Sequence, residues 1–210
     1  MLIYYIMIIE LLGLSATKIQ SNSTTILLSP PGEKSEIKTS RFKADCVVLG
    51  NPDDKINVEP REEKLFIVDS VGEYEASGIF IYSSQTPSSG KIESLMTLLK
   101  IENITIAHLA NLNQELSPKQ LELFEGADIL IIPVGGKGVL DAKRAKQIIE
   151  QIEPRIVIPM HFKQKGIKTE YDEKEKFFKE IGSSPSEQER IKITKKDLPQ
   201  EIMEIINLNV

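Results

Sequence analysis

The sequence predicts an α/β protein in which β-sheets are layered with helices. Three features carry this prediction. The first half breaks into short apolar stretches separated by turn residues, and the second half alternates strand-like with helix-like stretches. The apolar run Ile129–Pro133 lacks polar alternation, the mark of a strand covered on both faces.

In chain order, strands are expected at residues 3–12, 17–21, 25–29, 46–49, 65–69, 79–83, 94–101 and 105–109, with turn-rich stretches such as Ser29-Pro30-Pro31-Gly32 between them. Ser117-Pro118 opens a helix to about Phe124, because serine caps free amides and proline suits the first turn. Asp141 caps a second helix, in which Ala142, Ala145, Ile148, Ile149 and Ile152 fall at helical spacing. A buried strand follows at 156–159, then a charged amphipathic helix at 171–181. Strands at 191–194 and 204–208 close the chain, and 183–190 reads as its most mobile loop.

The length of 210 residues suits a single domain, 1–210, able to bury a core without a metal or disulfide staple. The lone cysteine, Cys46, forbids an internal disulfide and suits a reducing compartment, so the cytoplasm is the expected location. A net charge of −5 with no long cationic run argues against nucleic acid as a partner. The apolar start (MLIYYIMIIELLGL) has no Lys or Arg before it and is interrupted by Glu10, so it reads as a buried strand rather than a signal peptide, and no stable membrane insertion is expected.

Three strand ends hold candidate chemistry. Leu49-Gly50-Asn51-Pro52-Asp53-Asp54 offers oxygens from Asn51, Asp53 and Asp54; the plain alternative is an Asx-Pro turn whose side chains bond nearby amides. Both histidines, His108 and His161, follow buried strands, where hydrogen-bonded structural histidines are the commoner case. The loop Gly135-Gly136-Lys137-Gly138 lacks P-loop spacing and reads as a tight turn rather than a phosphate cradle. Cys46 lies inside an apolar strand, no serine lies in a G-x-S-x-G elbow, and Glu73 and Glu75 read as the exposed positions of a strand.

The order of these segments resembles the metallo-β-lactamase superfamily, in its branch of small metal-dependent hydrolases. The matching stretches include Phe42-Lys-Ala-Asp-Cys-Val-Val48, Gly72-Glu-Tyr-Glu75, Ile106-Ala-His-Leu109, Ile129-Leu-Ile-Ile-Pro-Val-Gly-Gly136 and Glu153-Pro-Arg-Ile-Val-Ile-Pro-Met-His161. Residues 1–6 look like an extension ahead of the family's usual start, with Met7 as an alternative initiator. The resemblance implies a four-layer αββα sandwich with one or two metals, usually zinc, at one edge. It also implies the signature H-x-H-x-D-H, whose histidine positions fall here on Leu49, Asn51 and Asp54; only its aspartate is kept, as Asp53. The family's bridging aspartate falls on Asn111 and the glycine before it on Ala110. A histidine is replaced within Ser83–Thr86 and another by Leu14, and the final histidine is kept as His161.

Zinc favours imidazole and thiolate donors, and too few remain for a tight two-zinc centre. No cofactor is therefore expected; the remnants Asn51, Asp53, Asp54 and His161 allow at most a weak divalent-metal site, suited to magnesium or calcium. The expected function is a non-catalytic binding or assembly module that holds a ligand or protein partner. The alternative is a divergent hydrolase with a single ion on Asp53, Asp54 and His161, helped by Asn111. A third reading, a membrane-associated structural protein, rests on the apolar start alone.

Overall fold

The computed structural model describes residues 5–22, 24–33, 35–37, 39–51, 54–87 and 94–210. The first strands are β1 (Met7–Gly13), β2 (Ala16–Ser21), β3 (Thr24–Leu28), β4 (Lys43–Ala44), β5 (Cys46–Val48), β6 (Glu59–Pro60) and β7 (Phe66–Val68). Then come β8 (Gly72–Ala76), β9 (Ile79–Gln85), β10 (Leu95–Ile101) and β11 (Ile104–His108). Helix α1 (Pro118–Phe124), β12 (Ile129–Pro133), α2 (Ala142–Ile152), β13 (Ile156–Met160) and α3 (Lys174–Ile181) alternate. The chain ends in β14 (Glu187–Gln188), β15 (Ile191–Ile193), β16 (Glu204–Ile205) and β17 (Asn207–Leu208).

Two large sheets form. One runs in the order β15-β1-β2-β3-β5-β7, the other β16-β13-β12-β11-β10-β9-β8. The pleat of β12 shows why its sequence is apolar throughout. Ile129 and Ile131 point into the core between the sheets, while Leu130 and Ile132 point into a second core under the helices. Ile156 and Ile158 against Val157 repeat this division in β13. Each such side chain fully buried contributes about 1.5–3 kcal/mol. The α2 face predicted from its spacing is the buried one, and Asp141 accepts the Arg144 amide as its cap.

The layered α/β sandwich expected from the sequence is the fold observed. All three α-helices pack on the outer face of the second sheet. Among the described residues no helix covers the first sheet, and the chemistry of its outer face explains this. β1 and β2 alternate buried residues with half-exposed ones, and Glu10 and Lys18, cross-strand neighbours there, form an ion pair at 3.1 Å. The Lys18 ammonium also lies over the Phe42 ring at 5.2 Å.

Four expectations need correction. The strand expected from residue 3 pairs only from Met7, with Tyr5 and Ile6 exposed and residues 1–4 outside the described part. The helix expected from Tyr171 begins at Lys174, because the Asp172 amide donates to the Gly135 carbonyl and its own carbonyl accepts from Lys163. The 204–208 strand divides: β16 joins β13, whereas β17 pairs with β14. That second pairing, with the Lys174–Glu187 ion pair, gives order to the 183–190 segment expected to be a mobile loop.

The end of the sandwich opposite the β11–β13 strand tips is held by Asp128, whose side chain is 8% exposed. Its carboxylate accepts from the Thr105 amide and hydroxyl and pairs with Lys195 at 2.8 Å and Arg155 at 3.4 Å. This joins the starts of β11, β12 and β13 to the C-terminal segment. Lys195 and Arg155 are 42% and 40% exposed and can rehydrate, which limits the cost of losing the acid. Asp128→Ala is expected to lower unfolding free energy by about 2–3 kcal/mol in urea denaturation; a change within about 0.5 kcal/mol would show that the cluster is mere surface pairing.

Candidate functional site

The strand ends named above meet at one edge of the sandwich. From the first sheet come the β1–β2 turn (Leu14, Ser15) and the segment after β5. From the second come the start of β10 and the residues after β11 and β13. The backbone already crosses between the sheets here: the Leu95 amide donates to Gly50 and the His161 amide to Leu14.

Asn51 is the centre of one side-chain network. Its Oδ1 accepts from Asn111 Nδ2 at 2.6 Å and Ser94 Oγ at 2.7 Å, and its Nδ2 donates to Asp54 Oδ1 at 3.1 Å. Asp54 Oδ2 accepts the amides of Gly50 and Asn51 at 2.6 and 3.0 Å. The plain turn reading of Asp54 is thus the observed one. The Ser94 amide in turn donates to Thr86 Oγ1. Asn111 Oδ1 is buried without a partner. A cleft of about 480 Å³ opens beside Asn51, lined by Leu49, Leu95, Val71, Ser70 and Gln85. Leu49 places an alkyl group on its wall.

The second network surrounds Leu14 and Ser15. His108 Nε2 donates to the Ser15 carbonyl at 2.9 Å, and its Nδ1 accepts the Ala110 amide at 3.3 Å. Both nitrogens are used, as expected of a structural histidine. His161 is 4% exposed, packs against the Tyr171 ring at 5.5 Å, and has no partner for Nδ1. Gln164 Oε1 accepts the Leu14 amide at 3.4 Å, and its Nε2 is unpartnered. Among the described residues no hydrogen bond joins this network to that of Asn51.

Local strain gathers at the same edge. Leu14, Ala110 and His161 have φ of 41°, 46° and 52°, a left-handed conformation unfavourable for side-chain-bearing residues. Ala110 stands where the resembled family has glycine, and its positive φ is the physical reason for glycine there. Gly135 is required for space, since a Cβ would lie 2.0 Å from the His161 carbonyl oxygen. The loop that follows is no phosphate cradle: a Cβ on Gly136 would meet an Asp172 carboxylate oxygen at 3.2 Å, and Asp141 caps the helix beyond.

The structure therefore brings Asn51, Asp54 and Asn111 together and places His161 with a separate set. Asp53 lies outside the described residues. Ser94 and Gln164 were missed, because nothing local in the sequence marks a serine as the partner of a residue 43 positions away; Thr86 was named only as part of the stretch in which a histidine is replaced. Among the described residues no three His, Cys, Asp or Glu side chains converge as a metal-holding group.

Burial pushes His108 down to about 4 and His161, which also feels His108, down to about 3, from an ordinary value of 6.5. Both rings are neutral in the folded protein near pH 7. The unfolded chain takes up protons first, so stability is full above about 6.5 and falls as pH drops toward 4 and then 3. Urea denaturation across this range should show a smaller acid loss in His161→Asn than in the parent, asparagine being tolerant of the left-handed conformation. Parallel curves for the two would contradict the assignment.

A family model described as the Beta-lactamase superfamily domain matches residues 8–161. A UPF0173 protein of Pyrococcus furiosus is 39% identical over 101 residues, 48% of this chain and 43% of that protein. A UPF0173 metal-dependent hydrolase of Pyrococcus horikoshii is 29% identical over 112 residues, 51% of this chain and 45% of that one. The matches thus span less than half the length of these curated relatives. In fold, the chain is similar to a Thermotoga maritima protein assigned as a Zn-dependent hydrolase of the metallo-beta-lactamase superfamily, with a TM-score of 0.81 and 22% identity over 97% of this chain and 100% of that one. The metallo-beta-lactamase fold protein YhfI of Bacillus subtilis gives 0.61 and 12%, over 98% and 96%. By sequence match and by architecture, the chain belongs to the beta-lactamase superfamily and has the metallo-β-lactamase fold.

Proposed function

We propose that this chain is a non-catalytic member of its superfamily, a binding or assembly module whose former metal edge is closed by hydrogen bonds between the two sheets. The observation that carries the reading is the Asn51 carboxamide, spent on Asn111, Ser94 and Asp54. Metal-assisted hydrolysis needs an ion held by three or four donors with a position open for water. The described donors do not fit zinc. Asp54 holds three N–H groups, His108 has used both nitrogens, and Leu49 offers none. Freeing the Asn51 and Asp54 oxygens would break several hydrogen bonds, each contributing about 1 kcal/mol.

One set of observations favours a second reading, a divergent metal-dependent hydrolase with a reduced single-ion site. Asn111 Oδ1 and His161 Nδ1 are buried and unpartnered, and relatives carry the name metal-dependent hydrolase. Asp53, Asp54 and His161 would hold that ion, with Asn111 as a polar helper; Asp53 lies outside the described residues. A harder ion such as magnesium or calcium suits this oxygen-rich set better than zinc.

Elemental analysis of full-length protein purified without chelator separates the two. The module reading expects magnesium, calcium, zinc, manganese and iron all far below one equivalent per chain, and no rise in melting temperature on adding any of them. A full equivalent that survives dialysis and is lost in His161→Ala would reject it.

A further inference from the structure

The second sheet ends in an open strand. β8 has β9 as its only neighbour in the sheet, so one side of its backbone is unpaired there among the described residues. The first sheet ends at the same corner in β7, as the edge-to-face contact of Phe66 with Tyr74 at 6.2 Å shows. Phe66 on β7 and Val71 just before β8 are 37% and 58% exposed, and Phe80, 45% exposed, stands on the outer face of β9 opposite Glu75.

The two faces of β8 differ. Glu73 and Glu75 are exposed on its outer face, the face of Tyr82 and Phe80 in the paired strand. Tyr74 lies on the inner face against Phe66. A strand added beside β8 would set alternate residues against the two carboxylates and the others against Tyr74 and Phe66. The first set calls for Lys or Arg, the second for Val, Ile or an aromatic. A second copy of this chain does not meet the requirement, because antiparallel self-pairing centred on Tyr74 places Glu73 opposite Glu75, like charge on like. Charges on an edge strand also discourage indiscriminate pairing, which makes the edge selective rather than closed.

We propose that the β8 edge is a docking site for an extended segment of another protein in which basic and apolar residues alternate, added as an eighth strand to the seven-stranded sheet. This rests on the reading of the chain as a binding module and names the chemistry of its partner.

The test is fluorescence anisotropy with the full chain and labelled synthetic peptides: alternating Lys-Val, alternating Glu-Val, Lys-Val in block order, and Lys-Val with an N-methylated backbone. The alternating Lys-Val peptide should bind, more weakly as salt rises. The other three should bind at least about tenfold more weakly. E73K/E75K, whose altered side chains are exposed, should keep the parent's melting temperature and reverse the preference toward Glu-Val. Equal binding of all four peptides, no binding of any, or Lys-Val binding unchanged in E73K/E75K would overturn the proposal. So would self-association of the chain abolished by E73K/E75K. Metal content read on the same preparations keeps the two claims apart. A metal-poor chain that ignores the peptides loses this partner but not the module reading.

Discussion

The carboxamide of Asn51 holds together segments that are far apart in sequence and belong to different sheets. It follows β5 in the first sheet and reaches Ser94 and Asn111 in the second, while its own amide group steadies Asp54. The His108–Ser15 and His161–Leu14 bonds cross the same gap. Without such bonds, strand ends carrying polar groups would face one another unpaired at a partly buried edge, a cost of about 1–3 kcal/mol for each orphaned group. The edge geometry, the left-handed residues behind it and the neutral state of both imidazoles all presuppose that the sheets are held at this spacing.

This constraint also relates the folded core to the proposed role. The two cores are built from interleaved Ile, Leu and Val side chains. On the proposed reading, the edge holds hydrogen-bonding side chains where ion-binding ones would otherwise stand, and the core below keeps the fold. His108 sits at a strand end beside the candidate site, and both its ring nitrogens serve the backbone.

Much of the architecture was legible because it is repeated locally. The unbroken apolar runs of β12 and β13, the Ser117 and Asp141 caps and the helical spacing in α2 are each contained in a few neighbouring residues. The site was legible only in part. Asn51, Asp54 and Asn111 do meet, but the sequence named them as remnants of a metal centre, while the bonds among them depend on Ser94 and on cross-sheet distances that no local pattern encodes. The start of α3 was misplaced for the same reason, since tertiary bonds from Asp172 to Gly135 and Lys163 outweigh a helical pattern at Tyr171. The fates of Glu204 and Leu208, in different sheets, depend on β13 and β14, not on their own apolarity.

The central claim is that the Asn51–Asn111 hydrogen bond joins the sheets where the superfamily's metal would sit. A double-mutant cycle with Asn51→Ala, Asn111→Ala and the double variant, read by urea denaturation in chelator, measures it directly. The account predicts a coupling energy of about 1–2 kcal/mol that is unchanged by added zinc. A coupling near zero, or one that appears only when zinc is supplied, would contradict it.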